Sequence, residues 1–309
     1  MSACKSWTKK SKKIAVRLWL AWIAVFIAQR SYAEDMVIDI YTLPKIPIKE
    51  FHNELLPGSV ANSHKILLGS VGSDLWRGPK DPRDEFWMVT DRGPNGQIKV
   101  DGTNRRTFLV PEFNPMILGV KTQSKEISIL EALPLVGQSG KPVTGLPNLT
   151  GINETPYNYS GHELLNFNPN GLDPEGLVRT TAGDFWIAEE YGPSLVHVDR
   201  TGKVLKRYIP EGLKLEDTDY PVAHVLPAIY GKTKINRGLE GLALSNERRL
   251  SISCSKVRCL IQTGKPETPR ATPGCWCSTS APRKLQPSMS IDSMSRVNST
   301  RISRTALMR

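Results

Sequence analysis

Short apolar runs, each stopped by Gly, Pro or Asp, recur along the middle of the chain. The clearest sits in a segment that occurs twice, FWMVTDRGP at 86–94 and FWIAEEYGP at 185–193, 99 residues apart. In both copies an apolar run with a Trp leads into acidic residues and then Gly-Pro, the pattern of a buried strand that delivers carboxylates to a turn. A second echo, DPEGLV at 173–178 and GLEGLAL at 238–244, sets a Glu-Gly step before an apolar run, 65 residues apart. Periods longer than one hairpin, with strand patterns inside them, point to β-blades rather than helical repeats. Strands are expected at 86–90, 185–188, 195–199 and 204–208, with Arg200-Thr201-Gly202 turning the hairpin between the last two. Trp87 and Trp186 are expected between blades, and Gly93 and Gly192 with their prolines make turns. Residues 134–162, rich in Gly, Pro, Asn and Thr, read as a long loop, a lid or a poorly ordered excursion. The fold class expected is all-β, a β-propeller. At roughly 40 to 45 residues per blade, residues 34–245 make only part of a ring.

Both ends break this pattern. Lys9, Lys10, Lys12 and Lys13 precede an apolar run at 18–28, followed by Ser31-Tyr32-Ala33, the layout of a cleaved secretory signal over residues 1–33. The run of 11 residues is well short of the roughly 20 a bilayer needs. A secreted or periplasmic protein is therefore expected, with no stable membrane insertion after cleavage. Residues 246–309 are basic and Ser-rich and show no strand or helix period. In a reading frame displaced by one base, a choice of allowed codons for 250–263 yields LYILLQSPLFNPD, for 275–280 LVFDI and for 287–294 EYVYRFD, which is alternating, β-rich text. The tail is accordingly read as frameshifted, disordered or non-native.

Charge follows the same division. The formal net charge of +11 is made by the ends, which carry +7 over 1–33 and +9 over 246–309, leaving −5 on residues 34–245. A mildly acidic domain has no electrostatic reason to bind a phosphate backbone, so nucleic acid is not an expected partner. All five cysteines lie outside the middle and no His follows His224, so neither a zinc site nor a redox pair is indicated. The sequons at Asn148, Asn153, Asn158 and Asn298 are read as chance occurrences. A GxSxG elbow, a phosphate-binding loop, a dinucleotide fingerprint and a spaced DxDxDG calcium loop are all absent from the sequence.

Acids brought by separate strands to one end of a propeller could hold a hard cation such as calcium, which takes six to eight oxygen ligands. The candidates are Asp91, Asp173, Glu175, Glu189, Glu190 and Glu240. A cation there would neutralise a phosphate ester, while Arg92, Arg179, Arg237 or His162 could clamp its oxygens. The alternative for the acids is that they cap turns or pair with neighbouring Arg residues inside the blades, and for His162 that it is simply solvated.

Three separated segments carry a family resemblance: TDRGPNG at 90–96, NGLDPEGLVRTTAGDFWIAEEYGPSLVHVDRTGKVLKRYIPEG at 170–212 and NRGLEGLALS at 236–245. Over about residues 64–245 the chain resembles the phytase-like family described as having esterase-like activity of phytase. The resemblance implies an exported β-propeller that hydrolyses a small-molecule phosphoester or ester. A non-catalytic propeller binding a ligand or envelope partner through the same acidic face is the second expectation, and a truncated product with neither property the third.

Overall fold

The computed structural model describes residues 39–48, 65–69 and 71–244, together with the backbone of two further strands at 249–253 and 288–290. The signal segment and the rest of the tail lie outside the described residues. Every strand belongs to the unit that begins at Tyr41. Among the described residues there is no α-helix, only a short 3-10 turn at Ala228–Lys232, and no helix long and apolar enough to cross a membrane.

The strands form separate, mainly antiparallel sheets arranged as blades of an unclosed propeller. The first blade has the order β1-β2-β5-β6, from β1 (Val71–Trp76), β2 (Glu85–Thr90), β5 (Met116–Gln123) and β6 (Glu126–Pro134). Between β2 and β5 the chain leaves the blade as the hairpin β3 (Asn95–Val100) and β4 (Thr103–Phe108), to which β7 (Pro156–Asn158) adds in parallel. The second blade runs outward from β8 (Pro174–Arg179) through β9 (Phe185–Glu189), β10 (Ser194–Val198) and β11 (Val204–Pro210) to β12 (Val222–Leu226), which is parallel to β11. A third sheet joins β13 (Gly241–Leu244), β14 (Arg249–Ser253) and β15 (Ser288–Ser290).

The first strands of the three sheets, β1, β8 and β13, lie side by side with β8 in the middle. The two sequence echoes therefore occupy equivalent places: the Trp-bearing segments are β2 and β9, each second in its blade, and the Glu-Gly steps open β8 and β13, each first. Glycine is needed at Gly176 because a Cβ there would lie 2.9 Å from both Ala188 Cβ and the Leu242 nitrogen, closer than packed atoms tolerate. Asp74 of β1 accepts the Leu177 N–H at 2.8 Å, pinning the first blade to the second.

All five residues of β9 are buried, because its two faces serve two interfaces. Phe185 and Ile187 face a core shared with Val89, Ile117 and Leu133 of the first blade, whereas Trp186 and Ala188 face one shared with Tyr208, Leu226 and Leu239. Burying an apolar side chain of the size of Phe185 or Ile187 contributes about 1.5–3 kcal/mol. Trp186 is stacked between His197 and Tyr208, at centroid distances of 4.5 and 5.3 Å. Trp87 is only partly buried and meets Phe185 edge-on at 5.1 Å.

The segment 134–162 is mostly loop, as its composition indicates, but it contains β7 and is not an excursion. Leu135, Val143 and Leu149 are buried, and the Asn114 amide donates to the Leu135 and Val143 carbonyls at 2.8 and 2.7 Å. Asn148 and Asn153 are buried too and bonded to Gly171 and Tyr191, which removes both as glycosylation acceptors in the folded chain.

Candidate functional site

Alignment of the two Trp-bearing segments equates Thr90 with Glu189, Asp91 with Glu190, and Arg92 with Tyr191. The structure gives each pair one environment. Thr90 and Glu189 are completely buried at the strand ends, where Thr90 accepts the Met116 N–H at 3.0 Å. Asp91 and Glu190 occupy the next position, at the rim. Arg92 and Tyr191 stack on one another, the guanidinium carbon 4.0 Å from the ring centroid, and Gly93 then turns the chain away with φ +93°.

Into the same rim β8 delivers Asp173 and Glu175, and β13 delivers Glu240. Ligand oxygens of Asp91, Asp173 and Glu175 all lie within 4.8 Å of one another. Asp173 is buried, faces Arg92 Nη1 at 3.4 Å, and its Oδ1 has no hydrogen-bond partner among the described residues. Burial and the neighbouring Asp91 drive its carboxyl well above the usual range, against the pull of Arg92. Burial likewise raises Glu175 to about 8, with Asp91, Glu190 and Glu240 adding repulsion. Glu190 rises to about 7 from burial and from Glu240, opposed by Arg92 and by Arg237, whose Nη1 is 3.7 Å from Glu190 Oε1. Like charges crowded into a half-dry rim favour a proton or a cation.

Glu189 does not join this cluster. Both its oxygens point into the blade, where the N–H groups of Gly192 and Tyr191 reach them at 2.7 and 3.1 Å and Arg207 Nη2 at 2.8 Å. A carboxylate so occupied has no lone pair left for a metal, so its role is to hold the blade.

The cationic candidates divide as well. Arg237 and Arg92 sit beside the acids, although the buried Arg92 serves Asp173 rather than solvent. Arg179 closes β8 at the opposite end from Glu175, roughly 13 Å along the strand, with its guanidinium over the Trp87 ring. His162 is exposed in the loop after β7, next to Gly161, whose carbonyl accepts from Arg105.

Sequence reasoning missed a second layer. Arg106 holds Glu154 through two bonds of 2.9 and 3.2 Å, Glu154 accepts from the Tyr191 hydroxyl, and Asn95 Oδ1 bridges Arg106 and Arg92 at 3.2 Å each. Arg106, Glu154, Lys234, Asn236 and Arg237 line a cleft of about 430 Å³, continuous through Arg237 with the acids. Nothing in the motifs marks Arg106, Glu154 or Lys234, because each reaches the site from an element remote in sequence.

Residues 73–270 match the phytase-like family described by esterase-like activity of phytase, a span that begins later than the resemblance read from the motifs and runs past Ser245. An uncharacterized secreted protein of Arthroderma benhamiae is 25% identical over 231 residues, which cover 62% of this chain and 45% of that protein. The chain thus spans less than half the length of that relative. No solved structure matches.

Proposed function

The chain belongs to the phytase-like family described by esterase-like activity of phytase, and from that premise we propose that it is an exported, cation-assisted phosphoester hydrolase working at the acidic rim. The observation that carries the reading is the convergence of Asp91, Asp173 and Glu175 beside a cleft lined by Arg106, Lys234 and Arg237.

The residues present fit calcium: every donor is an oxygen, the orphaned Asp173 Oδ1 is buried, and the mutual repulsion of the acids would be relieved by a divalent charge. Asp91, Asp173 and Glu175 would hold it. When bound, such a cation neutralises a phosphate ester and polarises its phosphorus. Arg106, Lys234 and Arg237 bind the ester oxygens from the cleft, and Arg92, clamped by Tyr191 and Asn95, fixes the orientation of Asp173. Glu190, with its carboxyl near neutrality, can take a proton from an attacking water or return one to the leaving oxygen.

Export is supported by the Lys-rich start, the apolar run at 18–28 and the small-x-small site, and by the secreted relative. The displaced reading frame proposed for 246–309 is tested by sequencing the gene across the codons for residues 244–252; an intact frame ends that proposal.

The decisive experiment is hydrolysis of p-nitrophenyl phosphate by the purified chain with calcium and after chelation. Turnover that disappears with the chelator and in Asp91→Asn supports the proposal. Calcium binding without turnover of either p-nitrophenyl phosphate or p-nitrophenyl acetate overturns the hydrolase and leaves a binding module.

A further inference from the structure

At the other end of the second blade the chain builds a different kind of site. Arg179, the last residue of β8, lies over the rings of Trp87 and Phe185, 4.7 and 5.7 Å from their centroids. Its ion pair among the described residues is long, 3.8 Å to Asp81 Oδ1, and its side chain remains partly accessible. Asp81 is already engaged through its other oxygen, which accepts the Gly78 N–H at 2.8 Å. Two buried donors there, Arg179 Nε and Trp76 Nε1, have no hydrogen-bond partner among the described residues. A cleft of about 320 Å³ opens against Trp76, Pro79, Lys80 and Arg179, and a second of about 180 Å³ shares Asp81 and Arg179 with it. Gly183 lines the larger cleft; a Cβ there would come within 3.7 Å of Arg179 Nη2, so the glycine leaves that edge of the guanidinium open.

We propose that this cleft binds a small organic carboxylate with an apolar body, at a site independent of the acidic rim. Its volume is at the lower end of small-ligand pockets, roughly 300–1,000 Å³. Lys80 and Arg179 outnumber the single acid Asp81, so the cleft attracts an anion. A guanidinium backed by aromatic faces is oriented in advance, and its planar fork matches a carboxylate in two parallel hydrogen bonds. The long contact to Asp81 leaves room for such a competitor. Trp76 and Pro79 give the rest of the ligand an apolar wall, which an inorganic phosphate would not use. The separation of this cleft from Glu175, roughly 13 Å along β8, allows both sites to be filled together.

The test uses the full chain and follows its indole N–H resonances by two-dimensional 1H–15N NMR, with the Trp76 signal identified by Trp76→Phe. Benzoate is expected to move that signal saturably, benzamide to leave it in place, and inorganic phosphate to leave it in place as well. Arg179→Met should weaken benzoate at least about tenfold, the loss of roughly one charge-assisted hydrogen bond, and the exposed Lys80→Ala by a smaller factor. Glu175→Gln should bind benzoate as the parent does, which separates this site from the proposed hydrolase. The proposal is overturned if benzoate leaves the Trp76 signal unmoved, if benzamide or phosphate moves it equally, or if Arg179→Met keeps the parent's affinity. Should Arg179→Met fail to fold, Lys80→Ala decides: unchanged affinity there overturns the proposal.

Discussion

Arg207 donates through Nη2 to Glu189 Oε2 at 2.8 Å with neither side chain exposed. The remaining donors of the guanidinium are occupied as well: Nε reaches Ser194 Oγ at 2.8 Å, and Nη1 reaches the Gly171 carbonyl and the Tyr220 hydroxyl at 3.2 and 3.3 Å. Taking two ions out of water is costly, and only full satisfaction of this kind offsets it. The pair ties β9, β11 and the turn at Gly192 together directly beneath the acidic rim.

Removing one partner should therefore be severe. Arg207→Met is expected to destabilise the chain by about 3–5 kcal/mol, because it strands a buried carboxylate. The double variant Arg207→Met with Glu189→Gln should recover part of that loss. Urea unfolding of the parent, Arg207→Met, Glu189→Gln and the double variant checks this, and single losses that simply add in the double variant would show that the pair is not coupled.

Glu175 should behave in the opposite way. Its carboxyl is held among like charges and raised to about 8, so Glu175→Gln is expected to be no less stable than the parent without a cation. Calcium should stabilise the parent by RT ln(1 + [Ca]/Kd), about 2.7 kcal/mol at a hundredfold excess over Kd, and should leave the variant unchanged. Thermal unfolding with and without calcium reads both halves of this expectation; an equal calcium response in the two proteins would remove Glu175 from the ligand set.

Four of the strands were legible because their sequence signals are local. Expected runs at 86–90, 185–188, 195–199 and 204–208 became Glu85–Thr90, Phe185–Glu189, Ser194–Val198 and Val204–Pro210, each shifted by a residue or two at its ends. The equivalence of the acids was legible too, since a repeat places corresponding residues in corresponding positions. What could not be read was which of two adjacent acids faces inward. Glu189 and Glu190 differ by one step on a strand, and one step reverses the side chain; only Arg207, brought by β11, decides it. Arg179, read as a clamp, lies apart from the acids for a related reason: four residues of strand carry it to the far end of β8. Arg106, Glu154 and Lys234 stayed hidden because tertiary packing alone brings them to the rim.

The hairpin turn at Gly202 offers a test of local packing. Gly202 has φ +92°, and a Cβ there would overlap the Pro134 carbonyl oxygen; its own carbonyl accepts the Val136 N–H at 3.0 Å. Gly212 has a comparable φ of +82° with nothing within 4 Å of the same position. Gly212→Ala should show only the backbone strain of roughly 1–2 kcal/mol. Gly202→Ala should add an overpacking penalty of roughly 1–3 kcal/mol. Equal losses in chemical denaturation would mean that the turn does not press on residue 134.

Acid stability should depend on Asp184, which joins the β8–β9 hairpin to β10. Its Oδ2 meets His197 Nε2, its Oδ1 accepts from the Thr180 hydroxyl, and the imidazole lies stacked on Trp186 at 11°. Burial alone would raise its carboxyl, but Thr180 and His197 outweigh it and hold the value below the ordinary 3.8. A carboxylate that is more acidic in the folded chain than in the unfolded one contributes stability that is complete above the unfolded value. That contribution falls away as pH drops from 3.8 through the lower folded value. The urea midpoint of the parent should therefore exceed that of Asp184→Asn by a constant margin at neutral pH, and the two curves should converge in acid. Because the pair is partly open to solvent, with 23% of the Asp184 side chain exposed, the margin is expected to be small and to shrink with added salt. Parallel curves down to the acid limit would assign the difference to lost hydrogen-bond geometry rather than to ionisation of Asp184.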